Sequence, residues 1–156
     1  MSKKEQMAEQ EREQIGDWMK VEFESVSENE ELARVIAAVF VSRLNPTLEE
    51  MDDIKTAVSE AVTNAVRHGY CEETGIISME MQIDGKTFCV TVSDGGVGIA
   101  DVEKAMEPMY SSDPDGESAG MGFSFMEAFM DTLNVDSALG EGTRVTMTKV
   151  IGKVYE

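Results

Sequence analysis

A carboxylate and a carboxamide stand one helical turn apart in the segment Ser-Glu-Ala-Val-Thr-Asn-Ala-Val-Arg-His-Gly, residues 59–69. Glu60 and Asn64 are four residues apart, so they share one side of a helix. A glutamate can act as a general base, and an amide oxygen is a suitable ligand for a hard cation such as Mg²⁺. A solvated helix edge would also carry such a pair, so other residues must decide whether it marks a site.

Two glycine clusters later in the chain offer places where a ligand can approach the backbone. In the first, Asp94 is followed by Gly96 and Gly98, and in the second Gly120 is followed by Gly122. Glycine allows the backbone to pass close to a flat ring, and the carboxylate can accept a hydrogen bond from an exocyclic amine such as that of adenine. The second cluster precedes a predicted helix, whose N-terminal N–H groups suit phosphate. Together with the acid and the amide, these clusters indicate a nucleotide site.

The composition and net charge limit the classes of partner that this protein is expected to bind. The chain has 156 residues, enough for one domain with a real core, and a net charge of −18. Such a charge disfavours direct binding to nucleic acid or to an anionic membrane, and it favours either a basic protein partner or simply a soluble acidic surface. The two cysteines lack the spacing of a metal site, and no apolar stretch is long enough to span a membrane. A reduced, cytoplasmic setting is expected.

The chain divides into a polar tail and a single domain. Residues 1–17 are rich in Glu, Gln and Lys and predict a frayed helix or a disordered tail, whereas residues 18–156 predict one folded unit that begins with a strand at 18–25. A capping box from Ser27 to Glu30 opens the first helix. Its buried stripe is predicted at Leu32, Val35, Ile36, Val39 and Phe40.

A second capping box, from Thr47 to Glu50, opens a helix predicted to run to about His68, with Gly69 as its left-handed C′ residue. The period then changes to alternation, which predicts a hairpin over 77–92 and a last hairpin from 135 to about 150. A short helix is predicted near 101–109 and another over 123–133. This order predicts an α+β sandwich with a mixed, mostly antiparallel sheet and helices on one face.

The order and spacing of the site motifs along the chain are more specific than any one motif alone. Glu-x-x-x-Asn is followed after about 30 residues by Asp-x-Gly-x-Gly, then by Gly-x-Gly, and finally by Gly142-Thr143. This series resembles the Bergerat (GHKL) ATP-binding fold of gyrase and sensor histidine kinases. Residues 59–70, residues 120–131 (Gly-Met-Gly-Phe-Ser-Phe-Met-Glu-Ala-Phe-Met-Asp) and the segment Glu-Leu-Ala-Arg-Val at 31–35 are similar to the anti-sigma-F factors of spore formers. The resemblance covers roughly residues 20–150.

The resemblance implies a role for each site residue. Glu60 would take the proton from a substrate serine, and Asn64 would hold Mg²⁺. Asp94 would contact adenine, with Gly96 and Gly98 beneath it. The remaining ATP-binding residues would be those at the phosphates and near the base: Gly120, Gly122 and Thr143.

The resemblance also implies partners. The protein would bind and inhibit a sporulation sigma factor of the F type in an ATP-dependent manner, and it would phosphorylate an anti-anti-sigma protein on serine. Arg34, which lies off the predicted stripe, would contact both partners, and the protein would form a homodimer for which the strand at 18–25 is a plausible edge.

One segment departs from the family pattern. The lid before Gly-x-Gly, residues 107–119, carries a basic residue in the family, but residues 105–120 here contain no Lys or Arg and several carboxylates. A cation at the γ-phosphate contributes strongly to the rate of phosphoryl transfer. Lys104 and Arg67 are candidates to replace it. A nucleotide-gated sigma-binding module with weak or no kinase activity, and an ATPase domain cut from a larger sensor kinase, are the alternatives.

Overall fold

Five strands form one sheet in the computed structural model, which describes residues 2–7, 17–71, 73–107 and 122–153. The strands are β1 (Asp17–Glu24), β2 (Ile76–Asp84), β3 (Thr87–Asp94), β4 (Thr132–Ala138) and β5 (Gly142–Val150). Their order is β1-β2-β3-β5-β4, and every pairing is antiparallel. The sheet predicted as mixed and mostly antiparallel is therefore antiparallel throughout its described strands.

The helices are α1 (Glu28–Val41), α2 (Leu48–Asn64), α3 (Val102–Ala105) and α4 (Gly122–Phe129). A 3₁₀ turn follows α1 at Ser42–Leu44, and a π-helical turn follows α2 at Ala65–Gly69. In the polar N-terminal segment, residues 3–7 form a helical turn. Among the described helices, none is both long enough and apolar enough to cross a membrane.

The core lies between the helices and one face of the sheet. Residues of β2 and β3 alternate between buried and half-buried positions, as expected for a sheet with one face covered. The fully buried side chains of these strands are Ile77, Met79, Met81, Phe88 and Val90. The predicted α+β sandwich is confirmed.

The start of α2 is fixed by the capping box that its sequence predicts. The Thr47 hydroxyl accepts the N–H of Glu50 at 3.1 Å, and the Glu50 carboxylate accepts the N–H of Thr47 at 2.9 Å. Three turns later the helix buries Ala61 and Val62 against the sheet. This register leaves Glu60 and Asn64 half-buried at the edge of the buried face.

The buried face predicted for α1 is wrong at three positions, because Leu32, Val35 and Val39 are 50%, 50% and 65% exposed. The helix instead packs through the small residues Ala33 and Ala37, which allow a close approach to α2, and it also buries Phe40 and Val41. Apolar residues lie on most sides of α1, so its periodicity did not identify the side that packs against the rest of the protein.

Two other local predictions are corrected. Ser27 has helical φ and ψ and makes no capping hydrogen bond, so the first capping box is absent. Instead, the side-chain amide of Asn29 donates to the Glu24 carbonyl at 2.9 Å, which joins the start of α1 to the end of β1. The last helix ends at Phe129, and Leu133 belongs to β4, because pairing with β5 begins at Thr132.

Candidate functional site

The first residue of α4, Gly122, lies directly against the end of α2. A Cβ atom added at Gly122 would lie 3.0 Å from Nδ2 of Asn64, 3.1 Å from its Oδ1 and 3.4 Å from Oε2 of Glu60. Because glycine has no Cβ, position 122 leaves space for both side chains. The structure therefore brings the acid and the amide, which are four positions apart, against the beginning of a helix that lies more than fifty positions later in the sequence.

Burial and neighbouring charges set the proton affinity of Glu60. Partial burial raises the pKa of its carboxyl, the Arg67 guanidinium opposes that effect, and the Glu30 carboxylate adds to it. The net pKa lies above the ordinary value for glutamate. A carboxylate with increased proton affinity is better suited to accept a proton from a hydroxyl.

A π-helical turn, rather than a glycine cap, ends α2. The Tyr70 N–H donates to the Ala65 carbonyl at 3.0 Å, and the first left-handed residue is Cys71, with φ of 51°. The prediction of Gly69 as the left-handed C′ residue is therefore wrong. Such turns are often found at functional sites. Here the turn brings the α-carbon of Gly69 against the carboxylate of Asp94, because an added Cβ would lie 2.7 Å from Oδ1.

Asp94 is the last residue of β3 and lies against Gly69, the last residue of the π-helical turn. Asn64 directly precedes the first residue of that turn. Its carboxylate accepts the N–H of Gly96 at 2.9 Å. Burial raises the pKa of Asp94, and the N–H groups of Gly96 and Thr143 oppose that rise by hydrogen bonding to the ionised form. Asp94 and Thr143, paired across β3 and β5, line an open pocket at this end of the sheet. Their positions suit recognition of a flat polar ligand.

Contacts inside the protein already require glycine at positions 96 and 98. A Cβ on Gly96 would overlap the carbonyl oxygen of Gly69, and one on Gly98, whose φ is 75°, would overlap that of Ala138. The neighbouring Val97 N–H donates to the Gly69 carbonyl at 2.8 Å. The loop after β3 is thus packed against the end of α2 on one side and the β4–β5 turn on the other. Contact of Gly96 and Gly98 with a ligand stays a prediction.

Ser137 is a site-supporting residue that the sequence reasoning missed. Its hydroxyl accepts the N–H of Ile99 at 2.7 Å, donates to the Gly142 carbonyl at 2.8 Å and lies 2.8 Å from the Thr143 hydroxyl. It therefore joins the loop after β3 to the start of β5. A serine near the end of a strand carries no distinctive signal, so only the three-dimensional structure reveals this role.

Two further predictions concern the lid and Arg34. Gly120 and lid residues 108–119 are outside the described residues. Arg34, on α1, has a side chain that is 42% exposed and pairs with Glu31 at 3.3 Å. It is one helical turn from Glu30, whose charge influences Glu60. The Arg34 side chain is therefore open enough to solvent for a protein partner to reach it.

Comparisons with known proteins identify the family of this chain. The model of the histidine kinase-like ATPase domain matches residues 23–149. The anti-sigma F factor of Pasteuria penetrans is 54% identical over 133 residues, which cover 84% of this chain and 89% of that protein. The anti-sigma F factor of Clostridium kluyveri is 51% identical over 136 residues, which cover 87% of this chain and 96% of that protein.

Two solved structures share the fold at low identity. The RsbU and RsbW domains of a Mycobacterium tuberculosis protein give a TM-score of 0.63 at 20% identity, covering 86% of this chain and 32% of that chain. The catalytic domain of the histidine kinase ThkA gives a TM-score of 0.52 at 14% identity, covering 85% and 96%. Together with the family match, these likenesses confirm the predicted Bergerat fold.

Proposed function

This chain belongs to the histidine kinase-like ATPase domain family and, within it, to the anti-sigma F factors, and from that premise we propose that it binds and inhibits a sporulation sigma factor of the F type in an ATP-dependent manner. We further propose that it is a protein serine kinase that phosphorylates an anti-anti-sigma protein. The observation that carries the proposal is the contact of Gly122 with both Glu60 and Asn64.

The proposed reaction needs a base, and Glu60 supplies one. Its carboxylate accepts the proton of the substrate serine hydroxyl while the serine oxygen forms a bond to the γ-phosphorus. The bond from the γ-phosphorus to the bridging oxygen breaks, and ADP leaves with that electron pair. The N-terminus of α4, beside Glu60, presents N–H groups that favour negative charge on the phosphates.

Asn64 has the chemistry to hold Mg²⁺. Its amide group is half-buried and faces the start of α4, where the phosphates are proposed to lie. Magnesium commonly takes one or two protein oxygens and fills the rest of its shell with phosphates and water, so a single amide oxygen fits. When bound, Mg²⁺ supplies positive charge that offsets the charge of the β- and γ-phosphates. Within the described residues, no group of three His, Cys, Asp or Glu side chains forms another candidate metal site.

At the base end, Asp94 is proposed to accept a hydrogen bond from the adenine amine, with Thr143 beside it. Gly96, Gly98 and Gly120 complete the proposed nucleotide contacts. The raised pKa of Asp94 follows from its burial, and an amine donor aimed at the carboxylate would favour the ionised form.

The proposed partners are proteins. The acidic surface, with a net charge of −18, is complementary to the basic DNA-binding surface of a sigma factor. The Arg34 side chain is 42% exposed on α1, which supports its proposed contact with both the sigma factor and the anti-anti-sigma protein. We propose a cytoplasmic setting, with no direct binding to nucleic acid or membrane.

A homodimer through β1 is part of the proposal. β1 is an edge strand, so its outer backbone groups can pair with another chain. A two-fold antiparallel pairing centred on Val21 would place Lys20 opposite Glu22 of the partner subunit. The exposed apolar side chains of α1 would widen the interface. Lys20→Glu should lower the dimer fraction in sedimentation experiments, and adding Glu22→Lys should restore it.

One observation favours a second candidate, a sigma-binding module of the same fold with weak or no kinase activity. Residues 105–120 contain four carboxylates and no Lys or Arg, so the lid sequence provides no cation for the γ-phosphate. Under the kinase proposal, Arg67, whose positive charge lowers the pKa of Glu60, takes the place of the missing lid cation.

Labelled ATP separates the two candidates. Purified protein is mixed with γ-labelled ATP, Mg²⁺ and the anti-anti-sigma protein of the same genome, and label on the serine of that protein is measured. Glu60→Gln should abolish labelling, whereas Glu49→Gln, an exposed change on the same helix, should leave it unchanged. ATP binding without any labelling by the wild type would favour the binding module.

A further inference from the structure

The hydroxyl of Tyr70 connects two segments of the nucleotide site that are distant in sequence. It donates to the Ile76 carbonyl at 2.6 Å, and it accepts the N–H of Gly95 at 2.7 Å. Gly95 directly follows Asp94, the residue proposed to bind adenine, and Tyr70 directly follows the π-helical turn that ends α2. A single side chain thus joins the end of the Glu60-Asn64 helix to the base-recognition loop.

Packing fixes the ring of Tyr70 as firmly as its hydroxyl. A Cβ at Gly75 would overlap the ring, so glycine at this position makes room for the aromatic side chain. A second connection runs in parallel, from the Val97 N–H to the Gly69 carbonyl at 2.8 Å. The Tyr70 ring thus packs against Gly75 while its hydroxyl meets the loop after β3.

We propose that Tyr70 is a positioning residue for adenine recognition, because its hydroxyl holds the Asp94-Gly95 backbone at a fixed place relative to α2. The inference rests on the proposed nucleotide binding. A hydrogen bond from an adenine amine weakens steeply when distance or angle changes, so a small shift of this loop should cost affinity. Tyr70 acts through Asp94, and the phosphate end of the site, built by Glu60, Asn64 and Gly122, does not depend on its hydroxyl.

Ser25, which directly follows β1, provides a matched control because its hydroxyl bonds to the same loop between α2 and β2. Its hydroxyl also makes two hydrogen bonds to backbone, donating to the Glu73 carbonyl at 2.9 Å and accepting the Gly75 N–H at 2.8 Å. It anchors the far side of the connection between α2 and β2 to the end of β1, away from Asp94. Ser25→Ala therefore loosens the same connection without freeing the base-recognition loop.

The test compares the wild-type protein with Tyr70→Phe and Ser25→Ala. Binding of MgADP and MgGDP is measured by calorimetry, and KM and kcat are measured for serine phosphorylation. Tyr70→Phe removes both hydrogen bonds of the hydroxyl and should weaken MgADP binding about tenfold, the effect of losing the proposed adenine hydrogen bond to Asp94, and it should raise KM for ATP with little change in kcat. Its preference for ADP over GDP should shrink, whereas Ser25→Ala should bind MgADP within about twofold of the wild type.

Equal MgADP affinity in Tyr70→Phe and the wild type would overturn the inference, and so would an equal loss in Ser25→Ala. A wild-type protein that does not bind MgADP would instead overturn the proposed function, and the inference with it. Thermal unfolding checks that each variant is folded. Should Tyr70→Phe be unfolded, Gly75→Ala carries the same test, because its Cβ displaces the ring while keeping the hydroxyl, and it should reproduce the loss of ADP preference.

Discussion

Gly69→Ala should raise the stability of the protein through its effect on the helical turn but lower it through a clash with Asp94. Replacing glycine by alanine in a helical turn ordinarily stabilises a protein by about 0.5–1 kcal/mol. The φ of Gly69 is outside the left-handed region, so its backbone accepts alanine. The new Cβ, however, would lie 2.7 Å, 2.8 Å and 2.9 Å from Oδ1, Cγ and Oδ2 of Asp94. All three contacts are shorter than real Cβ atoms tolerate.

The geometry gives the size of the expected effect. To restore ordinary contact, the Asp94 carboxylate must retreat by about 0.5–0.7 Å. That shift stretches its 2.9 Å hydrogen bond from the Gly96 N–H and moves the proposed adenine acceptor. Overpacking costs about 1–3 kcal/mol, which exceeds the gain in helix propensity. A displaced charged acceptor costs about 1.5–3 kcal/mol, so MgADP affinity should fall by roughly 10- to 100-fold.

Calorimetric titration with MgADP and urea unfolding measure the two effects in Gly69→Ala. Gly95→Ala is the control, because an added Cβ there would meet only the Tyr70 hydroxyl, at 3.4 Å, an ordinary contact. Its affinity should stay close to that of the wild type. The reasoning is refuted if Gly69→Ala is more stable than the wild type and binds MgADP equally well, since the contact with Asp94 would then have no consequence.

Four further changes test the site and the helix that carries Glu60 and Asn64. Because the pKa of Glu60 is raised, the rate of phosphorylation should increase with pH through a midpoint above the ordinary glutamate range, and Arg67→Gln should move that midpoint further up. A carboxyl with a raised folded-state pKa favours the fold at low pH and loses that contribution as pH rises through this pKa, so Glu60→Gln should increase stability to urea above the midpoint and little below it. Asn64→Ala should weaken MgADP binding more than binding of metal-free ADP, compared by calorimetry with and without a chelator. Thr47→Ala should remove the capping box of α2, costing about 1 kcal/mol in urea unfolding with unchanged MgADP affinity.

Sequence signals that are local in origin predicted the structure well. The capping box at Thr47 and Glu50 needs only residues three apart, and both of its hydrogen bonds are present. The Asp84-Gly85 turn likewise joins two strands whose alternation the sequence displays, with Gly85 at a φ of 60°. Because the register of α2 follows from its own periodicity, the edge position of Glu60 and Asn64 could be derived before the fold was known.

The buried side of α1 could not be derived in this way. Helical periodicity fits the exposed row Leu32, Val35 and Val39 as well as it fits the buried side. Only the packing of α1 against α2 selects the side that carries Ala33 and Ala37. The exposed stripe that results has the character of an interface, because single apolar residues are common at surfaces but a continuous row on one helix is less so. A prediction from one chain assigns such a row to the core by default.

The glycine motifs illustrate a related limit, with a consequence for how the site works. Gly69 was expected to cap a helix, and Gly96 was expected to contact a ligand. Instead, the missing side chain of Gly69 leaves space for the Asp94 carboxylate, and that of Gly96 leaves space for the Gly69 carbonyl. Their spacing therefore encodes contact between the end of α2 and the loop after β3. Since Asn64 immediately precedes the π-helical turn and Asp94 contacts its last residue, the base end and the metal end of the site share one backbone segment. The π-helical turn therefore sets the distance between the proposed metal ligand and the proposed adenine acceptor.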